Sequence, residues 1–303
     1  MSRHLLGIRN MSKNEIMHYI HTALDHKPKV KNPALRDKSL DKLSMATLFY
    51  ENSTRTKMSF LLAGEYLGVM ACDLNIGTSS VEKGESLIDT ALNLEAMGTN
   101  MIVLRHSMTG APHLLSQNTQ CAIINGGDGT NEHPTQALLD MLTIYEHKGS
   151  FQGLNVTIVG DIANSRVARS NLFGLQTLGA NVTLAGPATL LSGNMAALGA
   201  KVTTNVAEAV KNADVVMALR VQLERHKTGL FPSLPEYSHF FGVDMDILAH
   251  AKPDAIVMHP APVNRGVEIS SQVMDCQRSV IYPQVENGVA MRMAILDTIA
   301  QNL

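Results

Sequence analysis

Short apolar runs recur along this chain at intervals filled by amphipathic helical patterns, and that alternation restricts the fold more than any other feature. Residues 45–50, 101–104, 121–125, 155–159, 181–184, 213–219 and 255–258 each have the length and apolar content of a strand buried on both faces. Between them, Leu87, Ile88, Ala91 and Leu92, or Ala137, Leu138, Met141, Leu142 and Tyr145, fall at helical spacing. Strands that alternate with helices form parallel sheets covered on both faces. A length of 303 residues exceeds what one core usually supports. The expected fold is therefore α/β in two domains, each a mainly parallel sheet flanked by helices. A change of domain is expected near residues 134–150, ahead of the new strand–helix series that follows the polar connection 148–153, giving 1–134 and 135–286, with a C-terminal helix at 287–303 packing back onto the first. Ser12 with Glu15 forms a capping box that opens a first helix carrying Ile16, Ile20 and Ala23. A polar loop rich in Lys and Pro follows through Lys42.

Lys plus Arg number 25 against 27 for Asp plus Glu, a net charge of −2, so no electrostatic case exists for nucleic acid or an anionic membrane as partner. Small anions must be met by local clusters. The first residues lack the pattern of a signal peptide and no apolar run reaches membrane-spanning length, so a cytoplasmic location is expected. Cys72, Cys121 and Cys276 are scattered without C-x-x-C spacing, which predicts reduced core thiols and no metal centre.

Ligands of open parallel sheets bind beyond the carboxyl ends of the strands, in a cleft between two such domains here. The polar residues of this chain gather at those ends. Glu51-Asn52-Ser53-Thr54-Arg55-Thr56-Lys57 reads as a strand-to-helix turn crowded with hydroxyls and positive charge, a phosphate cradle built without glycine. An ordinary capped helix start is the competing reading. Against it stands the company of Lys83, four residues after Ser79, of Arg105 with His106, and of His133 and Gln136 around Pro134 at a helix entry. Gly160-Asp161 lacks the further glycines of a dinucleotide site, which is rejected. Arg166, and Arg220 with Gln222, read as forks for carboxylates, with surface ion pairs as the alternative.

Taken in order, 51–60, 79–85, Arg105-His106, His133 to Gln136, Gly160-Asp161 with Ser165-Arg166, Arg220 to Gln222 and His259-Pro260-Ala261-Pro262-Val263-Asn264-Arg265 resemble the catalytic chains of the aspartate carbamoyltransferase family. The match is colinear and covers nearly the whole sequence. It implies transfer of the carbamoyl group of carbamoyl phosphate to L-aspartate, with no cofactor and no metal. By the same resemblance Ser53, Thr54, Arg55 and Thr56 hold the phosphate, while Thr56, Arg105 and His133 polarise the carbonyl. Gln136 and the backbone around Ala261 hold the carbamoyl amide, and Arg166, Arg220, Gln222 and Pro262 orient aspartate. Ser79 and Lys83 would come from the neighbouring subunit of a homotrimer with shared sites. Regulatory chains or a dihydroorotase as further partners stay open. Two departures from the family pattern are Asn52, usually Pro or Ala, and Lys57, usually Arg, whose single ammonium lacks a bidentate fork. Ornithine carbamoyltransferases share the phosphate half, but Arg220-Val221-Gln222 suits a second carboxylate better than an ammonium. Glu51 is expected to act as a latch toward Arg166 or Arg225.

Overall fold

The computed structural model describes residues 1–74, 84–191, 194–221 and 233–303. Two compact units emerge, Met1–Leu142 with Glu286–Leu303, and Thr143–Val285. Each is built on its own parallel sheet flanked by helices. None of the described helices is long and apolar enough to cross a membrane.

The first unit contains α1 (Lys13–Lys31), β1 (Ser44–Phe49), α2 (Thr54–Leu67), β2 (Met70–Leu74), α3 (Leu87–Ala96), β3 (Met101–His106), α4 (Ala111–Ser116) and β4 (Ala122–Asp128), with most of the first turns of α5 (Pro134–Lys148). Its sheet has the order β2-β1-β3-β4, all parallel. The interior strands are buried almost throughout because helices cover both faces. Leu48, Ile102, Leu104 and Ile123 meet Ala91, Ala111 and Leu115 in one core cluster. The capping box of Ser12 and Glu15 is present, but α1 continues past Ala23 through Pro28 to Lys31. Proline removes one helical donor. Tertiary contact carries the helix on, since His26 is buried and its Nε2 lies 3.0 Å from Asp297 Oδ2.

The second unit contains β5 (Asn155–Val159), α6 (Arg166–Thr177), β6 (Asn181–Ala185), α7 (Asn194–Ala197), β7 (Lys201–Thr203), α8 (Val206–Val210), β8 (Val215–Ala218), α9 (Leu234–Phe241), α10 (Met245–Ala249), β9 (Ile256–Met258) and α11 (Ser271–Met274). The final helix, α12 (Ile281–Ala300), belongs mostly to the first unit and begins six residues earlier than the sequence pattern suggests. Strand order here is β7-β6-β5-β8-β9, again parallel. Val159, Val216, Val257 and Ala218 pack with Val210, Leu248 and Val273.

Both sheets reverse direction of winding once. In the first the reversal lies between β1 and β3, in the second between β5 and β8. At such a point the loops leaving the two strands diverge to opposite faces and open a crevice at their carboxyl ends. Four of the polar clusters leave these same strands, at 51–57, Arg105-His106, 160–166 and Arg220, while those at 126–136 and 259–262 follow β4 and β9.

Candidate active site

Ser53 occupies the cap position of α2, where a serine hydroxyl normally accepts from a backbone N–H one turn on. Ser12, Ser86, Ser165, Asn205, Ser233, Asp244 and Ser270 all do this at their helices. Ser53 makes no such bond. Its hydroxyl and the first N–H groups of α2 stay available to an anion, and the first turn carries no acidic residue. Thr54 and Arg55 are exposed there, while Thr56 is buried. The side-chain cap that the alternative reading requires is not made at Ser53.

Lys57 supports the turn from behind. Its Nζ lies 3.0 Å from Asp73 Oδ1 and 3.1 Å from Oδ2, so one ammonium straddles both carboxylate oxygens. Thr47 Oγ1 donates to the same carboxylate at 2.7 Å. Asn52 is exposed in the turn.

Arg105 reaches this crevice from the neighbouring strand. It pairs with Phe49 in the β1–β3 register, and its carbonyl accepts from Tyr50 N–H at 2.9 Å. On its other side Leu104 faces Asn125 while His106 faces Asp128, so Gly126 and Gly127 together oppose Arg105 alone. That is a bulge, a device that re-aims a side chain, and Gly127 takes the required positive φ of 119°. Arg105 Nη1 donates to Gly126 O at 3.2 Å and stands 3.4 Å from His133 Nε2; its Nε lies 3.5 Å from Glu51 Oε2. Glu51 thus faces Arg105, within the first unit; of its expected partners, Arg225 lies outside the described residues.

His133 and Gln136 are buried at the entry of α5. A guanidinium can only donate, so His133 Nε2 is the acceptor toward Arg105 and the ring proton sits on Nδ1, 3.4 Å from Thr135 Oγ1. Gln136 Nε2 donates to Asp140 Oδ1 at 2.9 Å, one helical turn on. Asp140 was not among the residues the sequence singled out. Its signal is the Gln-to-Asp spacing of four on a helix, which is common enough to pass unnoticed.

In the second unit Gly160 closes β5 with a φ of 140°, and a Cβ there would sit 2.8 Å from Leu219 O. Only glycine lets the ends of β5 and β8 come this close. Asp161 is buried and accepts from Asn164, and Ser165 caps α6 through Ala168 N–H at 3.1 Å. Arg166 is buried in the first turn of α6, where the helix dipole disfavours a cation. A surface ion pair does not describe it. Arg220 leaves β8 half-buried between Leu219 and Val221.

The end of β9 is clamped. His259 is buried; its Nδ1 accepts from Ala261 N–H at 2.8 Å, which puts the proton on Nε2, 3.2 Å from Glu268 Oε1. Glu268 also accepts from Asn264 N–H at 2.6 Å. Ala261 holds a positive φ of 52° before a cis bond to Pro262, which is exposed. A left-handed alanine costs about 1–3 kcal/mol and persists where surrounding contacts enforce it. Ser79, Lys83 and Gln222 lie outside the described residues. One expectation is corrected: Cys72 is exposed on β2, whereas Cys121 is buried and Cys276 half-buried.

Comparison with known proteins adds independent findings. Residues 3–146 match the model of the aspartate/ornithine carbamoyltransferase carbamoyl-P binding domain, and residues 152–299 that of the Asp/Orn binding domain. The sequence is 55% identical to the aspartate carbamoyltransferase catalytic subunit of Ruminiclostridium cellulolyticum, over 97% of this chain and 94% of that one. It is 54% identical to the same subunit of Acetivibrio thermocellus, over 97% and 95%. The fold is similar to that of Trypanosoma cruzi aspartate transcarbamoylase in complex with carbamoyl phosphate and aspartate, with a TM-score of 0.86, 30% identity, and coverage of 97% and 95%. Ornithine carbamoyltransferase from Pyrococcus furiosus gives a TM-score of 0.83 at 30% identity, covering 97% and 96%.

Proposed function

The chain belongs to the aspartate/ornithine carbamoyltransferase family, and we propose that it joins carbamoyl phosphate to the amine of L-aspartate by electrostatic and orientational catalysis, with no covalent enzyme intermediate. The products are N-carbamoyl-L-aspartate and phosphate, in an early step of pyrimidine biosynthesis. The relatives it matches over nearly their full length carry the aspartate name, which favours aspartate over ornithine as acceptor.

The neutral amine attacks the carbamoyl carbon, negative charge gathers on the carbonyl oxygen, and the C–O bond to phosphate breaks with its electron pair. The amine proton passes to the departing phosphate. Ser53, Thr54, Arg55 and Thr56 hold the phosphate, and Arg105 bridges from it to the carbonyl oxygen. Each well-placed donor to that oxygen lowers the barrier by roughly 3–4 kcal/mol. His133 joins them with an N–H only when its proton sits on Nε2, the tautomer opposite to the one Arg105 selects; a ligand that draws Arg105 onto itself releases that nitrogen. Gln136 and the backbone at Ala261 hold the carbamoyl amide. Arg166, Arg220, Gln222 and Pro262 orient the two carboxylates of aspartate, with Lys83 contacting both substrates.

The observation that carries this reading is the uncapped hydroxyl of Ser53 at the start of α2, the helix that follows β1, whose neighbour β3 carries Arg105. Ser53→Ala is expected to leave unfolding free energy within about 0.5 kcal/mol of wild type. It should raise the KM for carbamoyl phosphate about 10–100-fold, the loss of one charge-assisted bond. Ser165→Ala, which removes a real cap, should instead destabilise by about 1 kcal/mol. Denaturant titration and steady-state kinetics on the pair decide it: equal stability losses in both variants would return Ser53 to an ordinary cap.

We further infer a homotrimer in which Ser79 and Lys83 serve the neighbouring protomer's site. Lys83→Ala and Arg105→Ala chains, each nearly inactive, should recover about a quarter of wild-type activity when dissociated and reassembled in equal amounts, because random pairing restores that share of sites. Recovery no greater than the sum of the two variants excludes sharing. The native mass of the wild-type assembly separates a bare trimer from one joined to regulatory chains or a dihydroorotase.

A further inference from the structure

Gln136 carries a primary amide whose two ends have nearly the same shape and opposite hydrogen-bonding character. Free to turn over, it would offer a ligand either an acceptor or two donors. Here it is not free. Asp140, one turn along α5 and fully buried, takes Gln136 Nε2 at 2.9 Å. An ionised carboxylate only accepts, so the amide nitrogen must face it and Oε1 is turned the other way.

A buried carboxylate needs an opposing charge. Arg292 on α12 is buried in the same unit: burial lowers its pKa to about 10 while the Asp140 charge raises it, so it stays positive at neutral pH. Its own place is fixed by donation from Nη1 to Gly288 O at 3.0 Å and by lying 5.5 Å from the Phe60 ring of α2, the helix whose first turn holds Ser53 to Thr56. Side chains of three helices, α2, α5 and α12, thus gather behind one amide.

We propose that Asp140 is a positioning residue that locks the Gln136 amide with its oxygen toward the ligand, and that this lock makes the site select an acyl phosphate bearing an N–H2 beside its carbonyl. The oxygen of Gln136 complements the donors of a carbamoyl group. It offers nothing to a methyl, and it is left unpaired by an acetyl group of equal size. Discrimination of this kind is strong because the cost falls on a buried polar group of the protein. The inference rests on the reading of Gln136 as the contact for the carbamoyl amide.

The test measures the dissociation constants of carbamoyl phosphate, acetyl phosphate and inorganic phosphate for the full-length protein and its variants. Wild type should prefer carbamoyl over acetyl phosphate. In Asp140→Ala that preference should fall at least about tenfold, with the affinity for inorganic phosphate unchanged, since Gln136 has no part in holding the phosphate. Gln136→Met should lose the preference equally. Should Asp140→Ala fail to fold, Asp140→Leu combined with Arg292→Met removes both buried charges together, a change that cores tolerate, and is read in the same way. Loss of preference in Gln136→Met but not in the Asp140 variants overturns the lock while leaving the amide contact standing. An unchanged preference in Gln136→Met overturns the contact itself, and a parallel loss of inorganic phosphate affinity in the Asp140 variants shows general damage and overturns the positioning role.

Discussion

Arg105→Ala is expected to lower turnover about 10²–10³-fold, a loss of roughly 3–4 kcal/mol of barrier lowering. The side chain is delivered by a bulge that sets two glycines of β4 against it, and it stands 3.4 Å from the imidazole it is proposed to act beside. Its guanidinium also donates to Gly126 O at 3.2 Å, so thermal unfolding is followed beside turnover. Glu51, 3.5 Å away, is part-exposed, so losing that pair should cost under about 1 kcal/mol of stability. Arg105→Lys should recover little activity, because one ammonium cannot bridge a phosphate oxygen and a carbonyl oxygen as a planar fork does. Turnover at saturating substrates, with thermal unfolding as the control for folding, checks the assignment. A variant within tenfold of wild type removes Arg105 from the reacting atoms.

The clusters that reach the two reversal points were legible because strand ends and helix starts announce themselves locally, and the α/β architecture was legible because interior strands are apolar without a break. What escaped was decided by position in three dimensions. The strands β2 and β7 are edge strands without a fully buried side chain, so neither forms the apolar run by which the others are found. Exposure of Cys72 follows from the same edge. Helix α1 runs on through Pro28 because contacts such as His26 with Asp297, distant in sequence, outweigh a local breaker. Ser53 looks like every other cap in the chain, and only the backbone geometry shows its hydroxyl uncommitted. Asp140 and Arg292 lie on helices far apart in the sequence, and no spacing rule joins them. Local chemistry is written in the chain; the second layer that orients it is a product of the fold.

The acceptor half gives the other large expected effect. Arg166→Met should lower kcat/KM for aspartate by at least about 10²-fold, because a bidentate charge-assisted contact is worth several kcal/mol and each 1.4 kcal/mol is a factor of ten. Methionine keeps the apolar stem in a buried site, so packing loss is small. The affinity for carbamoyl phosphate should not move: Ser53 to Thr56 and Arg105, proposed to hold its phosphate, lie at the start of α2 and on β3 of the other unit, which has its own core. Arg166→Lys should fall between, retaining a point charge without the fork. Arg220→Met should likewise spare carbamoyl phosphate while narrowing the preference for aspartate over asparagine, whose side-chain amide lacks the second negative charge. Aspartate kinetics together with direct binding of carbamoyl phosphate separate the two halves. Equal damage to both substrates would show that Arg166 maintains structure instead of reading a carboxylate.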